Sequence, residues 1–472
     1  MAIAQDDFHV DLNEQTKTLF LKNQYLQATV SWKSEVSLTS FVIPGNVQDY
    51  LWNPGSSVDE VIPGTSLILF RDHPEDSTAA LTLPSHWTAG KEILDASNAE
   101  VTFTARNDQL SLRKTLLFSI DESVIRLSTE IINNSTAELV FYPAEYTVFN
   151  SEMAQTGFPN LNLHLYAPLR DTTDLETAFR YVTQNNQKQQ FEVISQQNLI
   201  ANETDFILSL INKGHYEQVI TDSDQEAWVV LQDKNPGRMI TVDYQYASEK
   251  IQDVSDDLAI LVGGAGKRFV NGEEKFFGFE ADKYLKVRKI LGKVSLKPGE
   301  TFSYRTTFST MIMVGPVAKV MDGIVYHNPL DVVTRENGFI VFGVFGIPRT
   351  GLIAIEFYDQ EDRLLERAFP SLSMNIPGMS GRSPGYVVPH YPAILQHEIW
   401  FSLTDGSDPD KDRPGYILSE TRRVDAWLTD MKKHNIIKLD QYNAPFRKYD
   451  PSTIEGMPNG QNGNTADTKE EN

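Results

Sequence analysis

Residues 276–308 read FFGFEADKYLKVRKILGKVSLKPGETFSYRTTF. Glu280 follows directly on an apolar run, and the turn Lys297-Pro298-Gly299-Glu300 comes after it. Beyond the turn, Phe302, Tyr304, Thr306 and Phe308 recur at a period of two, which predicts a strand with one face in a core. An acid beside such a strand needs a reason, because burying an unpaired charge is costly. Catalysis or ligand binding is one reason; a salt bridge to Arg113 or Arg288 is another.

The same period runs outward in both directions. Residues 18–21, 26–30 and 37–43 predict three short strands, the first two joined at Lys22-Asn23, and residues 65–71 a buried strand ending on Arg71. Between residues 100 and 150 the alternation is clearest. Leu110, Leu112, Leu116, Phe118 and Ile120 are followed by a turn at 121–123. Ile125, Leu127, Thr129 and Ile131 then alternate before Asn133-Asn134-Ser135. That pattern predicts an antiparallel meander. The next strand, 138–150, carries Pro143, which implies an edge or a bulge. Further strands are expected near 161–167, 189–195, 205–211, 227–232 and 258–263. The Gln/Asn-rich stretch 184–198 reads as an exposed hairpin.

Helical spacing is nearly absent. Its one instance is Val424, Trp427, Leu428 and Met431, at i, i+3, i+4 and i+7, which predicts a short C-terminal helix. Many short strands with regular turn signals mean an all-β fold. About 300 residues of them call for a large antiparallel double sheet, spanning residues 15–315 after a flexible start at 1–14. Gly315-Pro316 breaks the chain, and 316–447 reads as a smaller β-sandwich carrying that helix. Residues 368–393, with five prolines and three glycines, read as a long loop of the kind that is often functional. Residues 448–472 have the composition of a disordered tail.

Composition narrows function by exclusion. The 472 residues carry 64 Asp+Glu against 42 Lys+Arg and no cysteine. The acidic excess argues against nucleic acid and against anionic membrane surfaces. Absent cysteine removes disulfides, thiol catalysis and zinc–cysteine sites. No apolar run approaches the roughly 18 residues of a membrane span. Ala2-Ile3-Ala4 has the look of a cleavage site, which makes a periplasmic or extracellular location one expectation and a cytoplasmic one the other.

The order of these features resembles the galactose mutarotase-like β-supersandwich, the fold of the aldose 1-epimerases. The resemblance rests on Leu21-Lys22-Asn23 at the first turn, and on Phe279-Glu280-Ala281 ahead of Leu296-Lys297-Pro298-Gly299-Glu300-Thr301-Phe302. It covers roughly residues 15–315, with the β-sandwich as an addition. It implies a carbohydrate ligand, no cofactor, and Glu280 as catalytic base. In that family a strand reading roughly N-H-x-Y-F-N supplies a catalytic His. The matching stretch here, Glu145-Tyr146-Thr147-Val148-Phe149-Asn150, has Tyr146 in that place, and His164 lies on the next strand.

The expected catalytic residues are therefore Glu280 with Tyr146 or His164. Glu145 and Tyr146 must point to opposite faces of their strand, so only one of them can face a cleft. Arg71, His86 and Trp87 are expected to bind substrate, Trp87 through its flat apolar face. The function read from these residues is binding or processing of an oligo- or polysaccharide. Alternatives are a non-catalytic glycan-binding or envelope-assembly protein, and a lyase acting by β-elimination. Two further motifs carry no site: His397-Glu398 lacks a second His, and Gly263-Gly264-Ala265-Gly266-Lys267 is an incomplete phosphate loop; the acidic turn 405–412 crowds oxygen ligands that could hold calcium, but it lacks EF-hand order and reads first as a solvated loop.

Overall fold

The computed structural model describes residues 8–43, 49–51, 64–72, 79–95, 97–150, 163–169, 191–195, 206–211, 219–222, 228–233, 238–246, 251–253, 257–262, 266–270, 273–277, 284–312, 317–335, 338–349, 351–369, 372–376, 379–383, 386–387, 420–430 and 432–448. Every named element among them is a strand. In chain order these are β1 (His9–Asn13), β2 (Thr18–Lys22), β3 (Gln27–Ser31), β4 (Ser37–Val42), β5 (Thr65–Phe70), β6 (Trp87–Ile93), β7 (Asn98–Arg106), β8 (Leu110–Ser119), β9 (Val124–Asn133), β10 (Leu139–Asn150), β11 (Leu163–Leu169), β12 (Phe191–Ser195), β13 (Phe206–Ile211), β14 (Val219–Asp222), β15 (Trp228–Asp233), β16 (Arg238–Tyr246) and β17 (Ile251–Asp253). They continue with β18 (Asp257–Val262), β19 (Gly266–Val270), β20 (Glu273–Phe277), β21 (Tyr284–Ile290), β22 (Lys293–Leu296), β23 (Thr301–Ile312), β24 (Lys319–Met321), β25 (Ile324–Arg335), β26 (Gly338–Gly346), β27 (Gly351–Tyr358), β28 (Leu364–Ala368), β29 (Leu372–Ile376), β30 (Met379–Ser383), β31 (Tyr386–Val387), β32 (Arg423–Thr429), β33 (Asn435–Asn443) and β34 (Arg447–Lys448).

Two large antiparallel sheets face each other. One has ten strands in the order β12-β13-β11-β15-β16-β23-β9-β8-β7-β6. The other has seven, β14-β18-β21-β10-β22-β17, with β5 added on β10. The meander β1–β4 is a separate four-stranded sheet whose buried residues pack into the same core. Their inner faces meet in one core. Leu112, Leu116 and Phe118 of β8, Ile125, Leu127 and Ile131 of β9, and Phe302 and Phe308 of β23 pack there with Leu67 and Leu69 of β5. The alternation of β8, β9 and β23 is thus the inward phase of a two-residue pleat. Each such fully buried side chain contributes roughly 1.5–3 kcal/mol.

After β9 the chain changes sheets. Asn133 makes the corner: its side-chain nitrogen donates to the carbonyls of Ala137 and Leu296, both at 2.8 Å, and its carbonyl accepts from Gly299 N. β10 therefore continues in the seven-stranded sheet. Its first part, Leu139 to Phe141, pairs β22, and its second, Ala144 to Asn150, pairs β21. Pro143 stands at that switch, where a missing donor is tolerated.

A second core is formed by β25 and β26 with β27, β28, β32 and β33. It corrects the expected C-terminal helix. Residues 423–429 are strand β32, between β27 and β33. Val424, Ala426 and Leu428, each 0% exposed, supply a period of two that the helical spacing of Val424, Trp427 and Leu428 had masked. Part of the expected loop 368–393 is also ordered: β29 and β30 pair as a hairpin from Leu372↔Ser383 to Ile376↔Met379. Residues 397–403 and the acidic turn 405–412 lie outside the described residues, as does most of 184–198.

The two cores meet on the outer face of the ten-stranded sheet. Met239 and Met311 pack there against Val317, Ala318, Val320 and Val325. The β24–β25 turn, Asp322-Gly323, enters beside them. Its φ angles of 50° and 79° suit the two-residue Asp-Gly hairpin. Asp322 pairs with Arg126 at 3.4 Å and Arg305 at 3.2 Å, and its amide donates to Asp243 Oδ2 at 2.6 Å. Glu122, 4% exposed, is held by Arg126 and by Arg349, the latter at 2.8 Å. Burial lifts the Asp243 carboxyl to about 6; the Asp322 amide opposes the rise and the Asp322 charge adds to it.

Candidate functional site

β10 is the strand that positions the site, because its pleat turns Glu145 and Tyr146 to opposite faces. In register, Glu145 stands between Leu67 of β5 and Lys289 of β21, while Tyr146 stands between Ser66 and Arg288. Glu145 faces the core between the sheets. Tyr146 faces the other way, in a cluster with Phe70, Ala144 and Ile290, flanked by Ile68 and Tyr142.

On the inner face Glu145 is 6% exposed and fully engaged. Tyr304 Oη donates to one carboxylate oxygen and Thr306 Oγ1 to the other, both at 2.6 Å. These hydroxyls are the inward residues of β23, so the carboxylate ties the two sheets together. Burial, and then the Glu145 charge, push the Tyr304 and Tyr244 hydroxyls well up, so both stay protonated. Beside Glu145 lies a second acid. Glu35 accepts the amide of Leu67, and Lys114 Nζ sits 4.0 Å from it while donating to Val36 O at 3.2 Å. Burial raises the Glu35 carboxyl to about 7; Lys114 and the Leu67 amide pull it down, and Glu145 adds to the rise. Its side chain keeps 19% exposure. The segment 35–38 also closes the free edge of β5: Ser37 Oγ accepts from Thr65 N at 3.2 Å, and Thr65 Oγ1 from Leu38 N at 2.9 Å.

On the outer face Tyr146 is 7% exposed, with Arg288 beside it in register on β21. Burial raises its pKa above the usual 10 and Arg288 partly offsets the rise. At neutral pH Tyr146 is therefore a proton donor, not a base. The side chains clustered with it, Phe70, Ala144 and Ile290, are aromatic or aliphatic.

The other expected residues distribute as follows. Glu280 lies outside the described residues, in the connection from β20 to β21. Arg71 is exposed just past β5, next to the Phe70↔Tyr142 pair, with its amide donating to Ala79 O at 2.8 Å. Arg71 and Tyr146 thus belong to neighbouring strands of one sheet. His164 is on β11, paired with Ile211 and Gln232 in the ten-stranded sheet, apart from the strand of Tyr146. His86 is exposed, and Ser85 Oγ lies 3.4 Å from its Nδ1. Trp87 is 4% exposed, packs in the main core and donates its indole N–H to Ser34 O at 3.2 Å. Its ring faces are taken by the core.

Sequence reasoning missed Glu35, Lys114 and Lys289. One signal was present: Lys114 occupies an inward position of β8, in phase with Leu112 and Leu116. A lysine there must be neutralised, and Glu35 is its partner. Glu35 itself sits in the five-residue connection from β3 to β4, with no periodicity to betray it.

No protein-family model matches the chain. No curated protein matches it either. Among solved structures it is similar to a galactose mutarotase-like protein from Clostridium acetobutylicum, at 12% identity and a TM-score of 0.43, over 65% of this chain and 100% of that one. It is also similar to a galactose mutarotase-like protein from Lactobacillus casei, at 12% identity and 0.36, over 62% and 99%. A third is the GH36 α-galactosidase AgaB from Geobacillus stearothermophilus, at 9% identity and 0.33, over 65% and 41%.

Proposed function

We propose that the chain binds or processes an oligosaccharide on the outer face of the β5–β10–β21 strip, around Tyr146. The observation that carries this is the setting of Tyr146: a protonated hydroxyl beside Arg288, among Phe70, Tyr142 and Ile68. A pyranose needs that combination, apolar surface for its C–H groups and fixed hydrogen-bonding groups for its oxygens. If the protein is catalytic, Tyr146 delivers a proton and Glu280 removes one. Glu280 precedes the strand of Arg288 in the sequence, and the sequence resemblance gives it the role of catalytic base. His164 is the alternative partner named by the sequence, and Arg71 the substrate-binding residue nearest in the sheet.

The test is a panel of oligo- and polysaccharides read two ways, by absorbance of an unsaturated uronide and by reducing-end assay. A lyase yields both signals and a hydrolase only the second. A binding protein yields neither but retains affinity. Tyr146→Phe and Glu280→Gln should each cut turnover at least 100-fold with unchanged circular dichroism; wild-type turnover in both would sink the catalytic reading. The non-catalytic reading is favoured by one observation, that Tyr146 stands where the resembling strand has a His.

A further inference from the structure

β10 and β21 present two neighbouring pairs in register, Glu145↔Lys289 and Tyr146↔Arg288. On the inner face a cation meets an anion. On the outer face a cation meets a tyrosine. Arg288 Nε and Nη2 are buried and have no hydrogen-bond partner among the described residues. Its described neighbours on the β10 side of that face, Ser66, Ala144, Tyr146 and Ile290, include no carboxylate, and on its other side Ala259 of β18 is its register partner. A guanidinium stays protonated at any accessible pH, so this charge cannot be shed as a lysine's can. Leaving its donors unpaired away from water is costly.

The identity of the two open nitrogens defines the missing partner. Nε and Nη2 share one edge of the guanidinium plane, and their N–H bonds run parallel. That fork matches the two oxygens of a carboxylate. The residue as a whole is half-buried, while its Nε and Nη2 are buried. We propose that Arg288 is the receptor for the carboxylate of an acidic sugar, a uronate, with the Tyr146 hydroxyl bonding an oxygen of the same residue. This rests on the sugar reading above and adds the ligand's charge and class.

The test is isothermal titration calorimetry at pH 7 with four probes: oligogalacturonate, its methyl ester, a neutral galacto-oligosaccharide, and cyclohexanecarboxylate. The acid should bind at least 30-fold more tightly than its ester. Arg288→Gln should erase that difference, and Arg288→Lys, which keeps the charge but not the fork, should restore little of it. Equal affinity for acid and ester, or a preference that survives Arg288→Gln, overturns the inference. Neutral oligosaccharide binding without acid preference overturns it and leaves the sugar reading standing. Arg288-dependent binding of cyclohexanecarboxylate alone supports the carboxylate receptor and removes the sugar. Thermal melts guard against misfolding: Arg288→Gln and Arg288→Met discard an uncompensated cation, so neither should melt below the wild type.

Discussion

Glu35 shows how far one side chain can set the behaviour of the molecule. Its carboxyl is raised to about 7 in the folded chain, against 4.5 for the free group. The folded state therefore holds this proton more tightly than the unfolded state does. The stability it contributes is full below pH 4.5 and is lost as pH rises through 7, a loss of about 3 kcal/mol for this one group. Asp243, raised from 3.8 to about 6, acts in the same direction over a lower window. Glu35→Gln should flatten the decline between pH 5 and pH 8, read as urea midpoints at the two pH values; an unchanged slope would show that Glu35 is not the group responsible. Legibility at this scale was uneven. Tyr146 and Glu145 were visible because the pleat assigns them to opposite faces by spacing alone. Glu35 was not, because its partners Leu67 and Lys114 are brought to it by tertiary packing.

Among the elements, short connections carry as much specification as the strands. Gly323 has φ +79°, and a Cβ there would meet Ser309 Cβ at 3.2 Å and Val124 Cγ2 at 3.3 Å. Gly323→Ala should cost about 1–3 kcal/mol through backbone strain and crowding. Equilibrium denaturation measures it, and a variant as stable as wild type would refute the account. The strands of the double sheet could be read from sequence because one face of each is buried, which leaves a strict period of two in β8, β9 and β23. β32 could not. With Val424, Asp425 and Ala426 consecutively buried, its spacing satisfies a helix and a strand alike, and only pairing with β27 and β33 decides. The change of sheet after β9 was equally hidden, since Asn133 bonds Leu296 across a large sequence distance.

At the scale of the molecule, the two cores are joined by ions as well as by apolar contact. Glu122 is nearly fully buried between Arg126 and Arg349, and Asp322 reaches Arg126 and Arg305. Removing both partners of a buried carboxylate costs about 3–5 kcal/mol. The double variant Arg126→Met/Arg349→Met should therefore let the cores melt apart, giving two calorimetric transitions where the wild type gives one. A single, unshifted transition would mean that the ion network does not couple them. The junction was legible in sequence only as a break near Gly315-Pro316; nothing in the spacing of Glu122, Arg126 and Arg349 announces that they meet. The pairing of β9 with β23, Thr301↔Ile132 through Ser309↔Val124, has a further consequence, in time. The partner strand leaves the ribosome about 170 residues after β9, some 10–35 s later at ordinary rates of synthesis. Over that interval β9 is an open edge of an unfinished sheet, and β10 waits about 135 residues for β21. A nascent chain with two such edges is a client for a holding chaperone, and its yield is set by how quickly residues 284–312 are delivered.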